Sequence, residues 1–228
     1  MQTAYNLSRV YIQKAPKDIL FARKALKIAQ KSTFLLTKTE LKTGLRNEYA
    51  QMAQKVENEA RIYLEAELVR ITPLLQQIDD LAKNVSNKRS AKENVADLEK
   101  IVTLTTASLK KLPEQDSLNY LQVYAVSNLS WYYVLNNDYK NAEQAAKKAL
   151  DFKVSKIEWV ETNLALAYLL QNNWKACVEI YDRRSNENYF TENAKWRTIF
   201  LQDLDTLKKK GIKHPNIDKA ILYLNSKP

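Results

Sequence analysis

The chain has 228 residues, 45% hydrophobic and 27% charged, and carries a net charge of +10. It contains no uncharged apolar run of about eighteen residues, so no segment reads as a membrane span. Two glycines and five prolines supply too little turn chemistry for a hairpin-rich β fold. The dominance of Ala, Leu, Lys, Gln and Glu predicts an all-α protein.

Residues 3–14 and 17–31 read as a helical pair broken at Ala15-Pro16, because proline cannot continue a helix. In the second helix Ile19, Ala22, Ala25, Leu26, Ile28 and Ala29 share one side, and Lys17, Arg23, Lys24, Lys27 and Lys31 form a basic stripe on the other. From Thr33 to Ile71 a long helix is expected, with an interruption near Gly44. Its apolar seam is Leu45, Tyr49, Met52, Val56, Ala60, Tyr63 and Ile71. Thr72 as cap and Pro73 in a first turn predict a restart, with a return helix over 74–85. Asn84–Ser90 is the most polar connector, and a further helix over 89–111 ends at Leu112-Pro113. Helices are then expected near 116–136, 139–152, 156–171, 174–183, 191–210 and 216–225. Lys208-Lys209-Lys210-Gly211 is a helix end, with cations at the negative dipole terminus and a glycine able to turn left-handed.

One period stands out. Asn128-Leu129-Ser130 through Tyr133, Asn137-Asp138-Tyr139, Ala142 and Ala149-Leu150 returns as Asn163-Leu164-Ala165 through Tyr168, Asn172-Asn173-Trp174 and Cys177. In this order residues 122–152 and 157–185 resemble tetratricopeptide repeats, with cysteine in place of the alanine after the second turn. Asn6-Leu7-Ser8, Tyr11 and Ala25-Leu26 resemble a degenerate copy. The proline common at the end of the repeat is missing, and Val154 or similar residues stand there. The resemblance implies a helix-turn-helix repeat solenoid. Small residues let paired helices cross closely, and aromatics fill the wedge at the turn. The segments expected are 1–32, a basic repeat-like pair; 33–115, long helices as elongated repeats or an inserted coiled-coil hairpin; 116–190, the repeats; and 191–228, capping helices.

Stacked repeats generally bind rather than catalyse. The family grips extended or helical peptides in a groove lined by the first helices. Carried over, the groove positions are Tyr124, Ser127, Asn128, Trp131, Trp159, Thr162, Asn163 and Leu166, with Arg197 placed thirty-four residues beyond Asn163. Asn128, Asn163 and Arg197 at one register suit a clamp on a peptide carboxylate. Ser127 and Trp131, however, stand where the clamp needs a lysine and a second asparagine, so polar helix-surface residues are the favoured reading. Trp131, Trp159 and Tyr124 read equally as an aromatic floor for a partner or as packing between repeats, whereas Trp174 and Trp196 read as packing.

Ten of the cations lie in residues 1–46 against Asp18 and Glu40. The stripe Lys17, Arg23, Lys24, Lys27 and Lys31 is by default a solvated face, with an acidic protein or nucleic acid as its candidate partners. The single histidine, His214, has no second acid or base near it in sequence. Cys177 sits at a packing position, and Asp79-Asp80, Glu57/Glu59 and Asp203/Asp205 lie on helices among lysines. Gly44 and Gly211 alone cannot build a phosphate loop. The expectation is a non-enzymatic, cytoplasmic interaction module without cofactor or metal, binding a protein or peptide partner. The alternatives are a nucleic-acid binder working through its basic third, or a structural homodimer joined by the long central helices. The layout of Met1–Tyr5 is not that of a secretory signal, and the absence of a polar cap before Tyr5 and Leu7 fits a missing upstream repeat or a dimer contact.

Overall fold

The computed structural model describes residues 11, 19–38, 43–113, 115–152, 154, 156–190 and 194–226. Among these the chain is all-helical, with an isolated antiparallel bridge between Asn188 and Lys195 as its one β pairing. The helices are α1 (Ile19–Lys38), α2 (Thr43–Asn84), α3 (Ala91–Lys111), α4 (Asp116–Leu135), α5 (Tyr139–Asp151), α6 (Val160–Leu170), α7 (Trp174–Arg184), α8 (Trp196–Lys209) and α9 (Pro215–Asn225). None is long and apolar enough to cross a membrane. The expected helix at 3–14, Tyr11 apart, and Lys17 of the basic stripe lie outside the described residues. Two compact units divide the chain, one of residues 1–77 and 106–118, the other of residues 78–105 and 119–228.

The first unit is built on small residues. Ala22, Ala25, Ala29, Ser32 and Leu36 make a buried stripe along α1, and Ala53, Val56 and Ala60 make one along α2. Ala25 and Ala29 share a core with Val56 and Ala60, so backbones approach closely where larger side chains would hold them apart. Two expected breaks are absent. α1 runs through Ser32-Thr33, whose hydroxyls donate back to the Ile28 and Ala29 carbonyls, a bond that lets Ser and Thr sit inside a helix. α2 runs through Pro73 as one helix of 42 residues. Thr72 is no cap there: its hydroxyl donates to the Leu68 carbonyl, and Pro73 is exposed. α1 ends at Lys38 and α2 starts at Thr43, so a helix boundary does fall near Gly44, in the first turn of α2.

In the second unit a capping box opens α3: the Ser90 N–H donates to Glu93 Oε2 and the Glu93 N–H to Ser90 Oγ. Fully buried Asn94 closes the preceding connector by exchanging two hydrogen bonds with the Ser86 backbone. Tyr133 of α4 donates its hydroxyl to Glu99 of α3 at 2.5 Å.

Three hairpins follow, α4–α5, α6–α7 and α8–α9, and their turns share one geometry. Asn137, Asn172 and Gly211 each have a positive φ near the left-handed helical value (61°, 62° and 78°). At each turn the left-handed residue and its successor donate to the carbonyls three and five residues earlier: Val134 and Tyr133, Leu169 and Tyr168, Lys208 and Leu207. This is the Schellman closure, which takes up orphan carbonyls at a helix end. The second helix of each hairpin is then capped from a side chain, Asp138, Asn173 or His214. Ser130, Ala165 and Leu204, at one register before the turns, are all fully buried. α6 is central to the core: ten of its eleven residues are buried, Tyr168 being the exception. It begins at Val160, later than expected, because Lys156 takes a positive φ of 63° in the turn before it.

Candidate interaction surfaces

The groove positions divide by burial. Ser127, Thr162, Asn163 and Leu166 are buried and present no surface to a partner, which corrects their placement in a groove. The polar groups of Thr162 and Asn163 are engaged within the unit, whereas Ser127 Oγ meets no hydrogen-bond partner among the described residues. Asn163 Nδ2 donates to Ser130 Oγ at 2.8 Å, tying α6 to α4, and Thr162 Oγ1 donates to Asn163 Oδ1. Tyr124, Asn128, Trp131, Trp159 and Arg197 are half-buried. Asn128 Nδ2 is used on its own helix, donating to the Tyr124 carbonyl. The asparagines therefore brace helices and form no clamp.

Arg197 also changes register. The matching turns are 35 residues apart at 137 and 172 but 39 apart at 172 and 211. Exposed Gln202, and not Arg197, therefore stands where Asn128 and Asn163 stand in the earlier hairpins. Among these positions α4 alone offers a continuous outer stripe: Tyr120 (71% exposed), then half-buried Tyr124, Asn128 and Trp131. Tyr120 lies one turn before Tyr124, so the three-four spacing that marks the stripe was sufficient to find it.

Trp174 and Trp196 pack, as expected. Trp174 meets Tyr223 edge-to-face at 5.6 Å with Lys219 Nζ 3.9 Å from its ring centroid. Trp196 is buried against Tyr189 and Phe200 and lies under the Arg184 guanidinium.

Sequence spacing gave no hint of two polar clusters. Glu161, 6% exposed in the first turn of α6, accepts from Arg183 Nη2 at 2.9 Å and from Arg184 Nε and Nη2 at 2.9 and 2.8 Å. These partners are 22 and 23 residues away, beyond any local rule. The second cluster surrounds Asp203 of α8, where burial pushes the carboxyl up to about 6 and the nearby Thr162 side chain opposes the rise. Tyr181 is fully buried close by, and its hydroxyl meets no hydrogen-bond partner among the described residues.

Burial raises the Cys177 thiol to about 12, far from the range in which a thiolate reacts. His214 Nδ1 accepts the Asn216 N–H as the cap of α9. Among the described residues no three His, Cys, Asp or Glu side chains come together to hold a metal.

On the first unit Lys24, Lys27, Lys31 and Lys38 of α1 are exposed and Arg23 is half-buried. Arg23 and Lys27 border a cleft of about 350 Å³ between α1, α2 and the residues Leu112 and Gln115. Comparison with known proteins finds no family model, curated protein or solved structure that matches the chain.

Proposed function

We propose that this chain is a non-enzymatic protein-interaction module whose hairpins α4–α5, α6–α7 and α8–α9 form a solenoid of tetratricopeptide type. A partner peptide or helix lies along α4 on Tyr120, Tyr124, Asn128 and Trp131. The observation that carries this reading is the recurrence of one turn. The left-handed residue, its two closing hydrogen bonds and the buried small or aliphatic residue before it repeat in three successive hairpins. Repetition of this kind builds an extended surface rather than a catalytic pocket. Tyrosine and tryptophan are the side chains that anchor partners at interfaces, and the α4 stripe presents them without the cost of exposing the core.

The test is capture of partners from host lysate by the tagged chain, with and without nuclease, comparing wild type with a Tyr120→Glu/Tyr124→Glu variant. The reading expects a nuclease-resistant protein partner that the variant loses while its helical melt stays intact. Equal capture by the folded variant, or loss of every partner on nuclease treatment, overturns it. The latter outcome favours nucleic acid on the basic α1 face.

A further inference from the structure

A second surface, on the first unit, carries an inference that is independent of the α4 stripe. α1 holds five cations, Arg23, Lys24, Lys27, Lys31 and Lys38, and no carboxylate. Beside them the cleft has an aliphatic floor of Leu26, Leu64, Leu68 and Leu112, with Arg23 and Lys27 at its rim and Glu65 as the single lining carboxylate among the described residues. A floor that rewards burial of aliphatic side chains next to a single-sign charged helix selects a ligand with both properties.

We propose that this cleft docks an acidic amphipathic helix of a partner protein, its aliphatic anchors on the leucine floor and its carboxylates against α1. Length favours this occupant over a small molecule. Arg23 to Lys38 spans roughly 22 Å at about 1.5 Å per residue, several times the reach of one compact ligand but matched by a helix of similar length. The lining favours it over nucleic acid, since none of the described cleft residues is aromatic and single strands bind by stacking bases on aromatic rings. Phosphates would engage the cations but leave the leucine floor uncovered. Recognition of this kind is helix-in-groove, in which apolar anchors supply affinity and complementary charge supplies orientation and on-rate.

The test is selection from a random library of peptides roughly as long as the Arg23–Lys38 span, displayed on phage and panned on the full chain. Fluorescence anisotropy then follows with the synthesised winner and with an oligothymidylate. Winners are expected to carry Asp or Glu beside apolar residues at helical spacing. Their affinity should fall roughly tenfold or more in Lys27→Glu/Lys31→Glu and in Leu68→Asp, and weaken as salt rises. Leu68 is 45% exposed, so its aspartate variant retains the fold, as circular dichroism checks. The Tyr120→Glu/Tyr124→Glu variant should bind the winner unchanged, which separates this cleft from the α4 stripe. No enrichment, winners without acidic residues, binding indifferent to the Lys27, Lys31 and Leu68 changes, loss of binding in the tyrosine variant, or tighter binding of the oligothymidylate each overturn the proposal.

Discussion

Replacing Glu161 by alanine should destabilise the second unit by about 3 kcal/mol. The carboxylate is buried and takes charge-assisted hydrogen bonds from two guanidinium groups. Removing one partner of a buried pair costs about 3–5 kcal/mol, because the other charge is left without compensation. The two arginines do not share that cost equally. The Arg183 side chain is 54% exposed and can turn to water, so its part is worth no more than a surface pair, at most about 1 kcal/mol. Arg184 is 19% exposed and held in place by Glu187 and by the ring of Trp196, so it bears most of the loss. That places the total at the lower end of the buried-pair range.

For a chain of this size about 3 kcal/mol lowers Tm by roughly 6–12 °C. The assay is urea unfolding followed by tryptophan fluorescence, since Trp131, Trp159, Trp174 and Trp196 all lie in the second unit. A double-mutant cycle with Arg184→Ala should give a coupling of about 2 kcal/mol, within the range for residues in one network. A loss under 1 kcal/mol for Glu161→Ala, or a coupling near zero, refutes the burial argument.

Tyr181→Phe should stabilise the protein by about 1 kcal/mol, because it removes a buried hydroxyl that has no partner among the described residues while keeping the ring packed on Phe200 at 4.7 Å; a loss of stability in urea unfolding would reveal a hydrogen bond to that oxygen. The Asp203 carboxyl titrates at about 6 in the folded chain and near 3.9 when unfolded, so the folded state binds the proton more tightly. Stability should therefore rise as pH falls from about 7 to 4, by up to about 3 kcal/mol. Asp203→Asn should flatten that dependence and be the more stable form at pH ~8; parallel wild-type and variant profiles between pH ~5 and ~8 contradict it. Asn172→Ala should cost about 1–2 kcal/mol and Asn172→Gly should be neutral or stabilising, because only the alanine pays for the left-handed backbone. Equal thermal midpoints for the two variants would refute that assignment.

The hairpins α4–α5 and α6–α7 were legible because their signals are local. Asn137-Asp138 and Asn172-Asn173 each join a residue tolerant of positive φ to a side-chain cap, and the apolar spacing on either side fixes which face turns inward. The continuity of α1 and α2 was not legible. One helix was expected to end at Lys31 and the next to begin at Thr33, and Thr72 read as a cap, yet Ser32, Thr33 and Thr72 each spend the hydroxyl on a carbonyl of their own helix. Burial of Thr162, Asn163 and Leu166 was hidden for a different reason. A first helix shows its outer face only where neighbours leave it uncovered, and in α6 contacts from distant segments decide that. Arg197 went astray by arithmetic: a constant period was applied across a hairpin whose matching turn comes later, at Gly211 rather than four residues earlier. The leucine floor of the α1–α2 cleft joins residues 26, 64, 68 and 112, and no spacing rule links positions so far apart.

The enclosure of α6 bears on how the molecule comes apart. A helix with one residue at the surface cannot open until the segments around it have moved, so its amide protons exchange with solvent only when the whole unit unfolds. In a row of independent hairpins the ends fray first and the middle follows by degrees. Here Asn163 binds Ser130 of the preceding hairpin and the Leu169 carbonyl accepts from Asn216 of the following one, so loss of either neighbour removes a partner from the helix. Deuterium uptake should therefore rise in α6 and in the buried faces of α5 and α7 together, in a single step.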